Sequence, residues 1–239
     1  MKTYEEILRD FRICYDKGAR ILDIEGVNLL RWKDGDKGPA DIFAAARSIG
    51  FYNTSTMIPA TDWQEWSRLN VDVDVTWISI KGKEDLGRLE METTGKASLY
   101  MVIDNRSYGD IPEVLEFMEG RRKLEQIAFN FHTPFPGTEG LALTKEQRVQ
   151  VIDSLIAYRK KGHRIMNSTS GLRNMLSLDF KRYCWICNFI YCDGRQSPVC
   201  IDDQDSGICG KCGFSMSGEM NAVLRFRPDT ILAGLKLRK

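Results

Sequence analysis

The residues in this chain best equipped for chemistry are its cysteines. Cys184-Trp185-Ile186-Cys187, then Cys192 and Cys200, then Cys209-Gly210-Lys211-Cys212-Gly213 hold all but one of the seven. Two Cys-x2-Cys pairs with further cysteines between them form a metal-ligand pattern. A pair at that spacing sits on a tight turn with both sulfurs on one side, which suits a tetrahedral zinc ion or the corners of an iron–sulfur cluster. The alternatives, a set of disulfides or scattered buried thiols, sit poorly with the N-terminus. Met1-Lys2-Thr3-Tyr4-Glu5-Glu6 is too polar and acidic for a secretory signal, so a cytoplasmic location with reduced thiols is expected. The remaining cysteine, Cys14, shares helical spacing with Ile7, Leu8 and Phe11 and is expected in the core.

Other chemistries score low. There is no Gly-rich phosphate loop and no Gly-x-Ser-x-Gly elbow. Of the two histidines, His163 reads as a helix-end residue. His132 follows an apolar strand, and it is the one candidate for a general base or substrate contact. A net charge of +1 with 28% charged residues lacks the basic excess of a dedicated nucleic-acid binder, and no apolar run is long enough to span a bilayer. Neither a nucleic acid nor a membrane is therefore an expected partner.

Positioning these groups falls to a repeated strand–helix unit. Thr3 and Glu6 form a capping-box signature that opens a helix ending at Gly18. Strands follow at 20–25, 51–57, 71–80, 98–103 and 127–131. Between them lie helices from Asp41, from Thr61 or Asp62, around 84–92, and from Asp110; a further helix opens at Thr144. Residues 163–166 read as a short sixth strand. Alternation at this spacing predicts a parallel α/β sheet, closed as part of a barrel or lying open. In a barrel the C-terminal strand ends carry the site. Those ends hold Glu25, Gly26 and Asn28; Thr54, Ser55 and Thr56; Ser79 and Lys81; Asp104 and Asn105; Asn130 and His132. Trp63, Trp66 and Trp77 are expected to be packing residues. After residue 166 the alternation stops. Two units are therefore expected: an α/β unit over 1–166, and a cysteine-rich module over 167–239 that ends in a basic docking helix.

This order of pieces resembles the radical S-adenosylmethionine superfamily, whose partial (β/α)6 barrel is followed in some members by a cysteine-rich auxiliary-cluster extension of the SPASM or twitch kind. Residues 22–30 lie where that family carries a strand ending in Gly-Gly-Glu-Pro-Leu. Thr76-Trp77-Ile78-Ser79-Ile80-Lys81-Gly82 resembles its fourth strand, and Phe129 to Gly137 its sixth strand and loop. The resemblance implies a partial barrel lacking its first strand. It places Gly26, Asn28 and Ser79 toward S-adenosylmethionine, and it gives Cys184, Cys187, Cys192, Cys200, Cys209 and Cys212 to an auxiliary [4Fe–4S] cluster. It also implies a peptide or a small molecule as substrate and allows a reductant protein as partner.

Two departures stand out. The family's first strand and its Cys-x3-Cys-x2-Cys loop do not occur in this sequence, as in a truncated product or in a relative that has lost radical chemistry. The acidic position of the Gly-Gly-Glu-Pro motif is also changed, since the segment reads Gly26-Val27-Asn28-Leu29. Asn28 offers an acceptor without a charge, so the chain is not expected to cleave S-adenosylmethionine unaided. The rival reading needs no cluster. In it, Cys184, Cys187, Cys209 and Cys212 form a four-cysteine zinc ribbon that stabilises a non-catalytic binding protein and leaves Cys192 and Cys200 unused. Spacing alone does not separate the two metals, and the resemblance favours iron–sulfur.

Overall fold

The computed structural model describes residues 1–26, 29–69, 71–89, 97–197 and 207–236. Its helices are α1 (Tyr4–Asp16), α2 (Pro39–Ile49), α3 (Trp63–Arg68), α4 (Ile111–Glu119), α5 (Lys145–Lys160), α6 (Thr169–Ser177), α7 (Ser215–Leu224) and α8 (Pro228–Lys236). The strands are β1 (Ile21–Glu25), β2 (Asn53–Pro59), β3 (Val75–Ile80), β4 (Ala97–Ile103), β5 (Leu124–Phe131), β6 (Phe189–Ile190) and β7 (Gln196–Ser197). Local signals set the helix starts. Thr3 Oγ1 accepts the Glu6 amide at 3.3 Å while Glu6 returns a bond to the Thr3 amide, and Thr144 with Gln147 repeats the arrangement on α5. Among the described residues no helix is long and apolar enough to cross a membrane.

Strands β1 to β5 form one parallel sheet in sequential order, with no closure between β1 and β5 among the described residues. The expected sixth strand is reduced to a single parallel bridge between Ile127 and Ile165. Because side chains alternate along a strand, the register assigns every residue to a face. Ile58, Ile78, Ile80, Leu99, Met101, Ile103, Ile127, Phe129 and Phe131 face the helices. There they share one core with Phe43 of α2, Trp63 and Trp66 of α3, Leu115 of α4 and Ile152 of α5. The opposite face carries Asp23, Glu25, Ser55, Met57, Trp77, Ser79, Tyr100, Val102 and Asn130, and no helix packs its β1 side: Asp23 and Glu25 are exposed. Trp77 therefore departs from expectation. It is half-buried on the open face, whereas Trp63 and Trp66 are core.

An edge strand needs partners for its outward amides, and two segments, residues 164–167 and Gly213, supply them to β5. Ile127 donates to Arg164 O at 2.9 Å and accepts from Met166 N at 2.8 Å. Phe129 is met by the Asn167 side chain, which accepts its amide at 2.8 Å and donates to its carbonyl at 2.9 Å, as a neighbouring peptide would. Phe131 donates to Gly213 O at 2.9 Å. The C-terminal segment is held elsewhere as well, because α6, α7 and α8 pack on one another and α6 packs on α5. The single docking helix expected in the tail is two helices, α7 and α8. They are separated by Phe226 in a left-handed conformation (φ 55°) and by Pro228.

Candidate functional site

The open sheet face gathers polar groups from all five strands. In β1, Ile21-Leu22-Asp23-Ile24-Glu25 alternates so that Leu22 and Ile24 pack against the core while both carboxylates take the other face. Asp23 lies across from Ser55, whose hydroxyl donates to Asp23 Oδ1 at 2.7 Å. Ser79 is level with Pro59 on one side and Tyr100 on the other. At the β5 side, Asn130 donates through Nδ2 to the Tyr100 hydroxyl. Its Oδ1 accepts the Ser215 amide at 2.7 Å and the Ser215 hydroxyl at 2.5 Å. Asn167 Nδ2 donates to Ser215 Oγ at 3.0 Å and completes that chain.

Electrostatics tie the two sides of the face together. Much of the Glu25 side chain reaches solvent, yet lost hydration against the sheet pushes its carboxyl up to about 7; repulsion by Asp23, and the hydrogen bond that protonated Glu25 donates to it, add to the shift. The Tyr100 phenol is raised above its ordinary value, first by burial, with the Asn130 bond opposing; Glu25, Asp23 and Cys212 all push it further up. The carboxylates of β1 and the thiol of the second cysteine pair are therefore each within electrostatic reach of the Tyr100 phenol. At neutral pH this surface offers a proton that Glu25 can give or take, together with hydroxyl and amide groups able to orient a polar ligand.

The two halves of the cysteine segment dock at different places. Cys184–Ile186 and Cys209–Lys211 form matching 3-10 turns: Cys187 N donates to Cys184 O at 3.0 Å, and Cys212 N to Cys209 O at 3.3 Å. Between them β6 and β7 pair as an antiparallel hairpin with Cys192 in its loop. The first half lies against α1, where Asn188 Nδ2 contacts Cys14 Sγ at 3.4 Å and Lys17 bonds Gln196 at 2.7 Å. The second half is fastened to the end of β5. Gly213 N donates to Thr133 Oγ1 at 2.9 Å, and a Cβ built on Gly213 would lie 1.9 Å from Phe131 O, so only glycine permits this approach. No disulfide joins the described cysteines. Thiols displayed from two matched tight turns are suitable donors for a thiolate-held metal. Among the described residues no three cysteines, histidines or carboxylates gather into one metal-sized group.

Several sequence-predicted residues find other employment. His132 shares its Nε2 with the Thr138 carbonyl at 3.0 Å and the Thr138 hydroxyl at 3.1 Å, within its own loop. Asp104 caps the turn at Arg106 and Ser107, and Asn105 bonds Gly140 O. Thr54 and Thr56 point to the helix side, bonding Asp74 and Ile24 O. Gly26 ends β1 and accepts the Leu29 amide at 3.2 Å; Ser79 sits on the open face. Asn28 and Cys200 lie outside the described residues. Asp23, Tyr100 and Ser215 are the members that sequence reasoning missed. Alternation in β1 was the available signal for Asp23, whereas Ser215 reaches the site only through the docking of the tail. No known protein family's profile matches the chain, and no curated protein is significantly similar to it.

Proposed function

We propose that this chain is a radical S-adenosylmethionine-type iron–sulfur protein, a partial barrel whose open sheet face binds a small polar metabolite or a peptide in the cytoplasm. The observation that carries the reading is the fastening of the Cys209–Gly213 turn to the C-terminal end of β5, beside Asn130 and within electrostatic reach of Tyr100. This brings the cysteine module to the end of a sequentially ordered parallel sheet where barrel enzymes keep their sites. Cys184, Cys187, Cys192, Cys200, Cys209 and Cys212 are the thiols from which a [4Fe–4S] cluster would draw its ligands, and such a cluster supplies an electron reservoir or a substrate anchor. The chain's own residues do the rest. Asp23 and Glu25 receive a cationic or hydrogen-bonding group, Ser55 and Ser79 orient it, and Glu25 exchanges a proton near neutrality. Binding of S-adenosylmethionine would fall to Gly26, Asn28 and Ser79, and a reductant protein would be the electron partner.

A second reading, a zinc-stapled binding protein, draws support from the matched turns flanking a two-stranded hairpin, an arrangement natural to a zinc ribbon. Iron, acid-labile sulfide and zinc content separate the two on protein purified without oxygen. About four irons and four sulfides per chain, with broad absorption near 400 nm, are expected for a thiolate-held cluster. Cys209→Ser should bleach that absorption while far-UV circular dichroism stays unchanged. One zinc and no iron would overturn the iron–sulfur reading.

A further inference from the structure

Away from the sheet face, α6 and α7 enclose a cleft of about 430 Å³. Ser170, Arg173 and Asn174 line one wall, and Asn221, Arg225 and Arg227 line the other. Its volume falls within the range of small-ligand pockets. Three guanidiniums border it, and none forms an ion pair among the described residues. Arg227 Nε donates only to the Ser170 hydroxyl, at 3.2 Å. Arg173 and Arg225 have neither an ion pair nor a side-chain hydrogen bond among the described residues.

The nearby acids are already committed. Asp229 accepts from the Ser170 amide and hydroxyl through its two oxygens, each at 2.8 Å, and buried Glu219 accepts the Ser168 amide at 2.9 Å. The start of α6 is thus closed by protein carboxylates, and the positive charge of the cleft belongs to the arginines. The backbone sustains this convergence at some cost. Phe226, between Arg225 and Arg227, takes the left-handed conformation that helix ends usually give to glycine, with Arg227 N returning to Ala222 O at 3.0 Å. That reversal carries both arginines to one wall, and Phe226 itself is 80% exposed next to them.

We infer that this cleft is a binding site for a phosphate-bearing small molecule of up to nucleotide size. Guanidiniums recognise phosphoryl oxygens through paired, charge-assisted hydrogen bonds, and three of them around one cavity suit a diphosphate better than a single carboxylate. Asn174 and Asn221 are satisfied within the fold, bonded to Gly218 O and Lys181 O, so they shape the floor rather than compete for charge. The inference does not depend on the reading of the sheet face or on the identity of the metal.

The test is calorimetric titration of the full chain with inorganic pyrophosphate, with ADP, and with a single-stranded oligoribonucleotide. Saturable pyrophosphate binding that weakens with added salt is expected, with ADP binding at least as tightly. Arg173→Gln and Arg225→Gln should each weaken pyrophosphate binding by about tenfold or more. Arg9→Gln, an exposed charge on α1, should leave it unchanged. Both cleft arginines are exposed, so melting temperatures of the variants should match the parent; Arg173→Lys keeps the charge and should bind with intermediate affinity. No saturable binding at millimolar pyrophosphate, or equal binding by the Arg173→Gln, Arg225→Gln double variant, would overturn the assignment. So would tighter binding of the oligoribonucleotide than of either small ligand.

Discussion

Glu25 shows how a two-residue spacing becomes a titration near neutral pH. Lost hydration against the sheet first disfavours its charge, and Asp23, its neighbour on the same face of β1, adds repulsion between two carboxyls displayed side by side. The folded state therefore holds a proton on Glu25 that the unfolded chain releases near its ordinary value of 4.5. Because the folded pKa is the higher one, stability is greatest below about 4.5, falls as pH rises between about 4.5 and about 7, and levels off above that. Glu25→Gln removes the effect. In paired thermal melts from pH 5 to pH 8, the variant should gain on the parent as pH rises, with no further gain above about pH 7.5. A pH-independent difference between the two would show that Glu25 ionises normally in the folded protein.

At the level of elements, the contact to test is between the Cys209–Gly213 turn and β5. Gly213 lies so close to Phe131 O that a methyl group cannot fit without parting the two backbones. Gly213→Ala should cost about 1–3 kcal/mol, a melting-point drop of roughly 3–10 °C. An unchanged melting point would mean that the turn docks some other way. This contact was hidden from sequence reasoning because it joins segments far apart in the chain. What sequence did disclose was local. The five strands and their order followed from apolar alternation, and the caps at Thr3 and Thr144 from Thr-x-x-Glu and Thr-x-x-Gln. Of the site, Glu25, Ser55, Ser79 and Asn130 were marked as strand-end polar groups. Tyr100 stands in an apolar strand that gives no polar signal, and the loop partners of Asp104 and His132 are not legible from spacing.

Over the whole molecule, a buried carboxyl ties the C-terminal helices to the body. Glu219 of α7 lies beneath α6, where a Cβ on Gly171 would meet its Oε1 at 2.1 Å. Burial pushes its carboxyl up to about 7, although Ser168 hydrogen bonds and the Arg159 charge favour ionisation. As with Glu25, the folded pKa is raised, so stability is lost as pH climbs from about 4.5 to about 7. For a group this deep the loss approaches about 3 kcal/mol. Glu219→Gln should therefore narrow the difference in urea midpoint between pH 5 and pH 8. An unaltered difference would place the proton uptake on another group.

The shared edge of β5 also has a meaning in time. A ribosome delivers β1 to β4 in the order in which they pair, so most of the sheet can assemble as it emerges. Thr133 and Gly213, however, are separated by 80 positions, and the partner of the Phe131 amide is made just as late. Until residues 207–215 have been synthesised, the last rung of the sheet stands open to any passing strand. For the nascent chain, closing that rung is the step that ends its exposure to aggregation.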